Sequence, residues 1–166
     1  EALGAGEWDV GCYGSPPSIT GGIAYGAKVI GFGSPDTEAV TIWARSDSDI
    51  AQIQGQVAGY DEIYGNADTW RGKTILCTTV SSAHFALTAW LDAVGVKASE
   101  VTIKNMDQPQ ALAAFENGIG DFVALWAPHM YAGNRQGLEG RRKRRPVRQG
   151  NPPRPRGRYQ VRRRPS

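Results

Sequence analysis

Apolar positions along this chain change period several times, and each change marks an element. The clearest run starts at Lys73. TILCTTV (74–80) is apolar and β-branched, as a buried strand is. SSAHFALTAWLDAV (81–94) spreads Phe85, Leu87, Ala89, Trp90, Leu91 and Val94 over a broad helical stripe, and Gly95 supplies the stop. VTIKN (101–105) predicts the next strand. Asp107 then reads as an N-cap, Pro109 fits a first turn, ALAAFENG carries a second helix to Gly118, and DFVALW (121–126) is a third strand. Strand, helix, strand, helix, strand predicts a parallel βαβαβ unit, half of an open α/β domain.

Upstream the signals are shorter. DVGCY (9–13) reads as a strand closed by Gly14-Ser15-Pro16-Pro17, and the segment from Pro17 to Tyr25 as a short helix stopped by Gly26. KVIGF (28–32) and AVTIWAR (39–45) read as two more strands. Ser46 to Gly72 is polar and Gly-rich, too long for an ordinary loop, and is expected to cross between substructures.

Charge divides the chain more sharply than hydropathy. Residues 1–133 hold 6 Lys/Arg against 15 Asp/Glu, a balance of −9; residues 134–166 hold 13 against Glu139 alone, or +12, which together give the net +3. The basic character therefore belongs to the last 33 residues. No apolar run approaches the ~18 residues of a membrane span, and the first residue, Glu1, is read as a cut end that leaves export undecided. Cys12 and Cys77 lie in strand-like runs without CxxC spacing and are read as buried free thiols, with a disulfide or a metal site as alternatives.

In open parallel sheets ligands sit beyond the carboxyl ends of strands. That rule selects Gly14-Ser15-Pro16, Ser81-Ser82-Ala83-His84, Met106-Asp107 and Ala127-Pro128-His129. Ser81 and Ser82 open a helix, whose first-turn N–H groups and positive dipole end suit a carboxylate, sulfonate or phosphate-like group; the plainer alternative is a serine capping its own helix. Gly14 and Ser15 offer a second turn of similar kind. His84 has neither cysteine nor acidic partner in metal or catalytic spacing, so packing and ligand contact both stand open to it. Trp126 is a core residue or an indole wall against a ligand. Lys73 lacks the Gly-rich loop of a phosphate-binding lysine and reads as a solvated strand-start residue, and Asp121 as a turn and strand-edge residue. Small polar loops converging without a reacting group predict binding, with no cofactor and no catalytic residue.

These residues resemble a known family, the periplasmic solute-binding proteins of ABC importers for taurine, aliphatic sulfonates and nitrate. The likeness runs over EWDVGCYGSPP, RGKTILCTTVSSAHFALTAWLDAVGV and KNMDQPQALAAFENGIGDFVALWAPHMYAG. It rests on a strand leading to Gly-Ser-Pro, a Ser/Thr-rich turn before a histidine, and a Gly-x-x-Asp strand ending in Trp-x-Pro, in that order. It implies an α/β fold of two lobes, the type 2 periplasmic-binding-protein architecture, here incomplete, closing on a small anionic or zwitterionic solute and delivering it to a membrane permease. The resemblance places residues 1–45 in the later part of lobe one, 46–73 at the hinge and 74–133 in lobe two. It puts Gly14 and Ser15 on the first-lobe ligand loop, Ser81, Ser82 and His84 on the second, and Trp126 on the cleft wall, with WAP at 126–128 closer to taurine-type members. A monomer in the periplasm or anchored at the cell surface is implied. Missing strands on either side lead us to expect weak binding. Enzymes on the same fold, of thiamine-pyrimidine or menaquinone synthesis, are the alternative; the former's cysteine-rich motif is not here.

The family does not continue into an arginine tail. Asn134 to Gly140 can be encoded so that a one-base shift reads Ile-Asp-Lys-Gly-Trp-Lys, the text the family leads one to expect. The tail at 134–166 is accordingly read as a disordered, frameshifted terminus, with a basic arm for nucleic acid or anionic lipid, or a cloning sequence, as alternatives. One aromatic, Tyr159, gives little for base stacking, and nucleic acid is not the expected partner.

Overall fold

A computed structural model describes residues 3–33, 39–61, 63–135 and 147–148. Its centre is one five-stranded sheet: β1 (Val40–Ala44), β2 (Thr74–Cys77), β3 (Thr102–Asn105), β4 (Phe122–Trp126) and β5 (Val147–Arg148), in the order β3-β2-β4-β1-β5. β2 pairs in parallel with β3 and β4, while β1 runs antiparallel to β4 and β5. The helices are α1 (Ser15–Tyr25), α2 (Ala67–Trp70), α3 (Ser82–Val94), α4 (Gln108–Glu116) and α5 (His129–Arg135).

The period-two alternation of each strand splits its side chains between two cores. Ile42, Ala44, Ile75, Cys77, Phe122 and Ala124 face Leu87, Trp90 and Leu91 of α3; Trp43, Leu76, Val123 and Leu125 face Ala111 and Phe115 of α4. Covering both faces explains why the central strands read as unbroken apolar runs. The helices take opposite faces because the chain moves outward from β2 to β3 and then back across β2 to β4, and crossovers of one hand then require it. Thr41 is buried on β1, where its hydroxyl accepts the Trp43 indole N–H at 2.7 Å.

Arg45 fastens the far end of the sheet. Its guanidinium donates to the carbonyls of Gly120 (2.9 Å), Phe115 (2.9 Å) and Ile119 (3.0 Å) and lies 4.4 Å over the Phe115 ring. A cation at the carboxyl end of α4 satisfies orphan carbonyls and the helix dipole together. Asp121 takes the strand-edge role expected of it, accepting the Thr74 N–H at 2.8 Å. Lys73 is not simply solvated: it pairs with Asp49 at 3.0 Å.

Several expectations need correction. Residues 9–13 and 28–32 form no strands; Val10, Val29, Ile30 and Phe32 are exposed, because the described residues offer no neighbouring strand to pair with them. Cys12 is consequently exposed rather than buried, while Cys77 is buried as read; both thiols are free. α1 forms where predicted, ending at Gly26 with φ 69°, yet buries none of its residues. On α3, Ala83 and Ala86 are buried in place of Phe85, which turns outward.

The stretch 46–72 is folded onto the α3 core instead of crossing away from it. Ile50, Ile63 and Trp70 are fully buried there, and the Trp70 ring lies 4.2 Å from Phe122. Asn66 and Thr69 form a reciprocal capping box for α2. Gly65 is required, since φ is 82° and an added Cβ would meet the Trp70 ring at 2.6 Å. With β1 hydrogen-bonded to β4, the boundary expected at residues 45/46 falls inside one sheet and one core. The basic tail lies outside the described residues except for Asn134 and Arg135 in α5 and the pair Val147–Arg148, which join β1 as a strand.

Candidate functional site

The loops after β2, β3 and β4 gather at the carboxyl edge of the parallel strands, as the open-sheet rule requires. Of α1, α3 and α4, α3 keeps the most first-turn donors without a partner among the described residues. The first turn of α4 already holds the Asp107 carboxylate, which accepts the Gln110 N–H at 2.9 Å. α1 opens with Pro16 and Pro17, which have no N–H, and its next donor, Ser18 N–H, is bonded to the Gly14 carbonyl at 3.1 Å. Gly14 and Ser15 thus offer their own N–H groups and the Ser15 hydroxyl, and no hydrogen bond joins them to Ser81, Ser82 or His84 among the described residues.

α3 is capped by a neutral residue. The Ser81 hydroxyl accepts the His84 N–H (3.2 Å) and donates to the Thr78 carbonyl (2.6 Å). Its one proton is therefore committed to the loop, and the helix-cap reading describes that hydroxyl. Thr79 N–H goes to Asn105 Oδ1 at 3.0 Å and Phe85 N–H to the Ser81 carbonyl at 3.0 Å. The N–H groups of Ser82 and Ala83 and the Ser82 hydroxyl have no acceptor or donor partner among the described residues. They point from the positive end of a 13-residue helix whose cap carries no charge.

His84 is held by its own turn. Its Nδ1 accepts the Val80 N–H at 3.4 Å, which leaves the ring proton on Nε2 and makes that nitrogen a donor. Val80 takes φ 54°, a left-handed conformation that a β-branched residue seldom adopts. Trp126 ends β4 opposite Val40; its ring is half-buried against the α3 core, and its backbone N–H is bonded to Gln108 Oε1 at 2.9 Å. Ser81, Ser82, His84 and Trp126 thus belong to one edge, with the Gln108 side chain touching both the Thr78 hydroxyl and the Trp126 backbone.

Gln108, Thr78 and Asn105 do not stand out in the sequence. The hydroxyl-rich text TTVSS could have drawn attention to Thr78. A glutamine at the first position of a helix carries no comparable mark. An open hollow of about 340 Å³, lined by Thr88, Leu91, Asp92 and Gly95 to Ala98, lies at the other end of α3 and takes no part in this edge. Among the described residues no three metal-ligating side chains cluster, and no helix is long and apolar enough to cross a membrane.

No family model matches the chain. A protein of Brachyspira hyodysenteriae named as an ABC transporter periplasmic binding protein is 33% identical over 139 residues, which is 84% of this chain and 40% of that protein. The taurine-binding periplasmic protein of Escherichia coli is 35% identical over 66 residues, 40% of this chain and 21% of that one. Both relatives are named for binding and not for catalysis. Among solved structures, the alkanesulfonate-binding protein SsuA from Xanthomonas axonopodis pv. citri, bound to MOPS, superimposes with a TM-score of 0.68 at 24% identity, covering 91% of this chain and 45% of that chain. That likeness carries the fold, a mixed α/β sheet of the periplasmic-binding-protein kind. The chain spans less than half the length of each of these proteins.

Proposed function

We propose that this relative of the periplasmic binding proteins is the solute-binding component of an ABC importer, or the cleft-forming part of one, and does no chemistry on what it binds. It captures a small anionic or zwitterionic solute such as taurine, another sulfonate or nitrate, and delivers it to a membrane permease. It works as a monomer in the periplasm or anchored at the cell surface.

The observation that carries this reading is the start of α3. Two N–H groups and the Ser82 hydroxyl, without partners among the described residues, meet the positive end of a neutral-capped helix, while the start of α4 is filled by Asp107. Neutral donors of this kind hold a sulfonate or nitrate without a lysine or arginine. In the proposed complex, His84 Nε2–H adds a donor and Trp126 an apolar wall, with Gly14 and Ser15 closing from the other side. Taurine is favoured over nitrate by the similarity to the taurine-binding protein and by the apolar wall, which suits an alkyl chain.

The test is a titration of the ¹⁵N-labelled chain with taurine, methanesulfonate and sodium nitrate, against sodium chloride at equal ionic strength, followed by amide chemical shifts. This measurement detects millimolar binding. The expected result is saturable movement of Ser82, Ala83 and His84 together with Trp126. Shifts identical to those in chloride would refute the reading.

A further inference from the structure

The ladder between β2 and β4 is short. It pairs Ile75 with Phe122 and Leu76 with Val123, and then stops, although β4 goes on to Trp126 against β1. Beyond Cys77, among the described residues, no backbone bond ties residues 78–81 to the strand that leads to Trp126. One side chain fills that gap. Gln108, at the start of α4 and only 3% exposed, donates from Nε2 to Thr78 Oγ1 (3.1 Å) and to the Ala124 carbonyl (3.3 Å), and accepts the Trp126 N–H on Oε1 (2.9 Å).

The network permits one orientation of the amide. A backbone N–H can only donate, so the atom facing Trp126 is the oxygen. The Thr78 hydroxyl gives its single proton to the Met106 carbonyl at 2.7 Å, so it must accept from Nε2. From Thr78 the path continues through its own carbonyl to the Ser81 hydroxyl, and from there to the first turn of α3. Every polar atom of the Gln108 amide is used, in a buried setting where an unmade bond is costly.

We propose that Gln108 is a positioning residue whose amide replaces the missing ladder and sets the separation between the α3 anion loop and the Trp126 wall. The proposal rests on the binding reading for its consequence, though not for its geometry. A backbone ladder would hold the two strands at the fixed spacing of a sheet. A side chain in its place lets the crevice open at the point where connections leave β2 and β3 in opposite directions, and keeps that opening to one width.

Two variants test it in the full chain: Gln108→Met, of similar volume and apolar, and Gln108→Glu. Without any ligand, Q108M is expected to speed amide exchange at Trp126 about ten-fold relative to Leu125, and to move the amide shifts of Thr78 to Ser82. Q108E separates polarity from packing. A protonated carboxyl can give its one proton to Thr78 and accept from Trp126, losing only the longer bond to Ala124, whereas the carboxylate cannot donate at all. Its Thr78 to Ser82 shifts are therefore expected to match wild type at pH 4.5 and those of Q108M at pH 8, with wild-type spectra recorded at both values. If Q108M does not fold, the Q108E series decides alone. With methanesulfonate, Q108M is expected to bind about ten-fold more weakly per folded molecule.

Unchanged Trp126 exchange and unchanged loop shifts in Q108M, accompanied only by a lower Tm, would show that the amide merely fills space and would overturn the proposal. So would wild-type methanesulfonate affinity in folded Q108M, an outcome that leaves the binding reading standing. A wild-type chain that ignores methanesulfonate overturns the binding reading instead, and the ligand-free shifts then judge Gln108.

Discussion

Replacing Val80 by glycine is expected to stabilise the protein, although it removes a side chain. Val80 holds φ 54°, and the residue is 65% exposed. A branched residue in that region carries about 2 kcal/mol of backbone strain. Losing a side chain that is one-third buried costs about 0.5 kcal/mol, and the greater freedom of glycine in the unfolded chain costs about 0.7 kcal/mol. The balance favours Val80→Gly by about 0.5–1 kcal/mol, a rise in Tm of about 1–4 °C for a domain of this size. Urea unfolding followed by circular dichroism measures it. Val80→Asn, whose side chain tolerates the left-handed region, is expected to stabilise as well, whereas Val80→Ala retains a Cβ and is expected to be neutral or slightly destabilising. If glycine and asparagine both destabilise by more than about 0.5 kcal/mol while alanine does not, the strain argument is wrong.

Three further outcomes follow from other contacts. Ser81→Ala removes the α3 cap and strands the Thr78 carbonyl, and is expected to lower the unfolding free energy by about 1–2 kcal/mol in urea. Arg45→Met leaves the Ile119 and Gly120 carbonyls without their donor, while Phe115 keeps the Gly118 N–H, and is expected to cost about 2 kcal/mol, read from the same transition. Burial pushes the Cys77 thiol up to about 12, so at pH 8 a thiol reagent is expected to modify exposed Cys12 alone in the native protein and both cysteines in guanidinium. The same burial makes stability fall as pH rises above about 9, where the unfolded chain releases the thiol proton that the folded chain retains to about 12; Cys77→Ala is expected to flatten that alkaline limb of Tm.

The segment 74–126 was legible because its signals are local. Ser81, Gly95 and Asp107 begin and end helices through their own backbone geometry, and β2 and β4 carry apolar runs that a two-sided cover requires. Strand character at 9–13 and 28–32 was not secure on the same grounds, since a strand exists only with a neighbour and pattern alone does not supply one. The stretch 46–72 misled for the opposite reason. Its buried residues, Ile50, Ile63 and Trp70, stand singly among polar ones, so no period reveals that they enter the α3 core. At the candidate site, the turn at Ser81-Ser82 could be located from strand-helix order. Which of its two serines stays available was decided by a single hydrogen bond to Thr78, and Gln108 became visible only when the β2–β4 ladder was seen to stop short.

The one antiparallel neighbour of β4 has a mechanical meaning. Because β1 runs against the other central strands, the chain enters the sheet at Val40, opposite Trp126, and the Ala39 carbonyl takes the Ala127 N–H at 3.0 Å. A pull on the chain before residue 39 would therefore load that pair first, at the edge that carries the candidate site instead of at the far end held by Arg45. The candidate wall is thus where the chain enters the sheet, so tension there would be felt at Trp126 before any core contact has to yield.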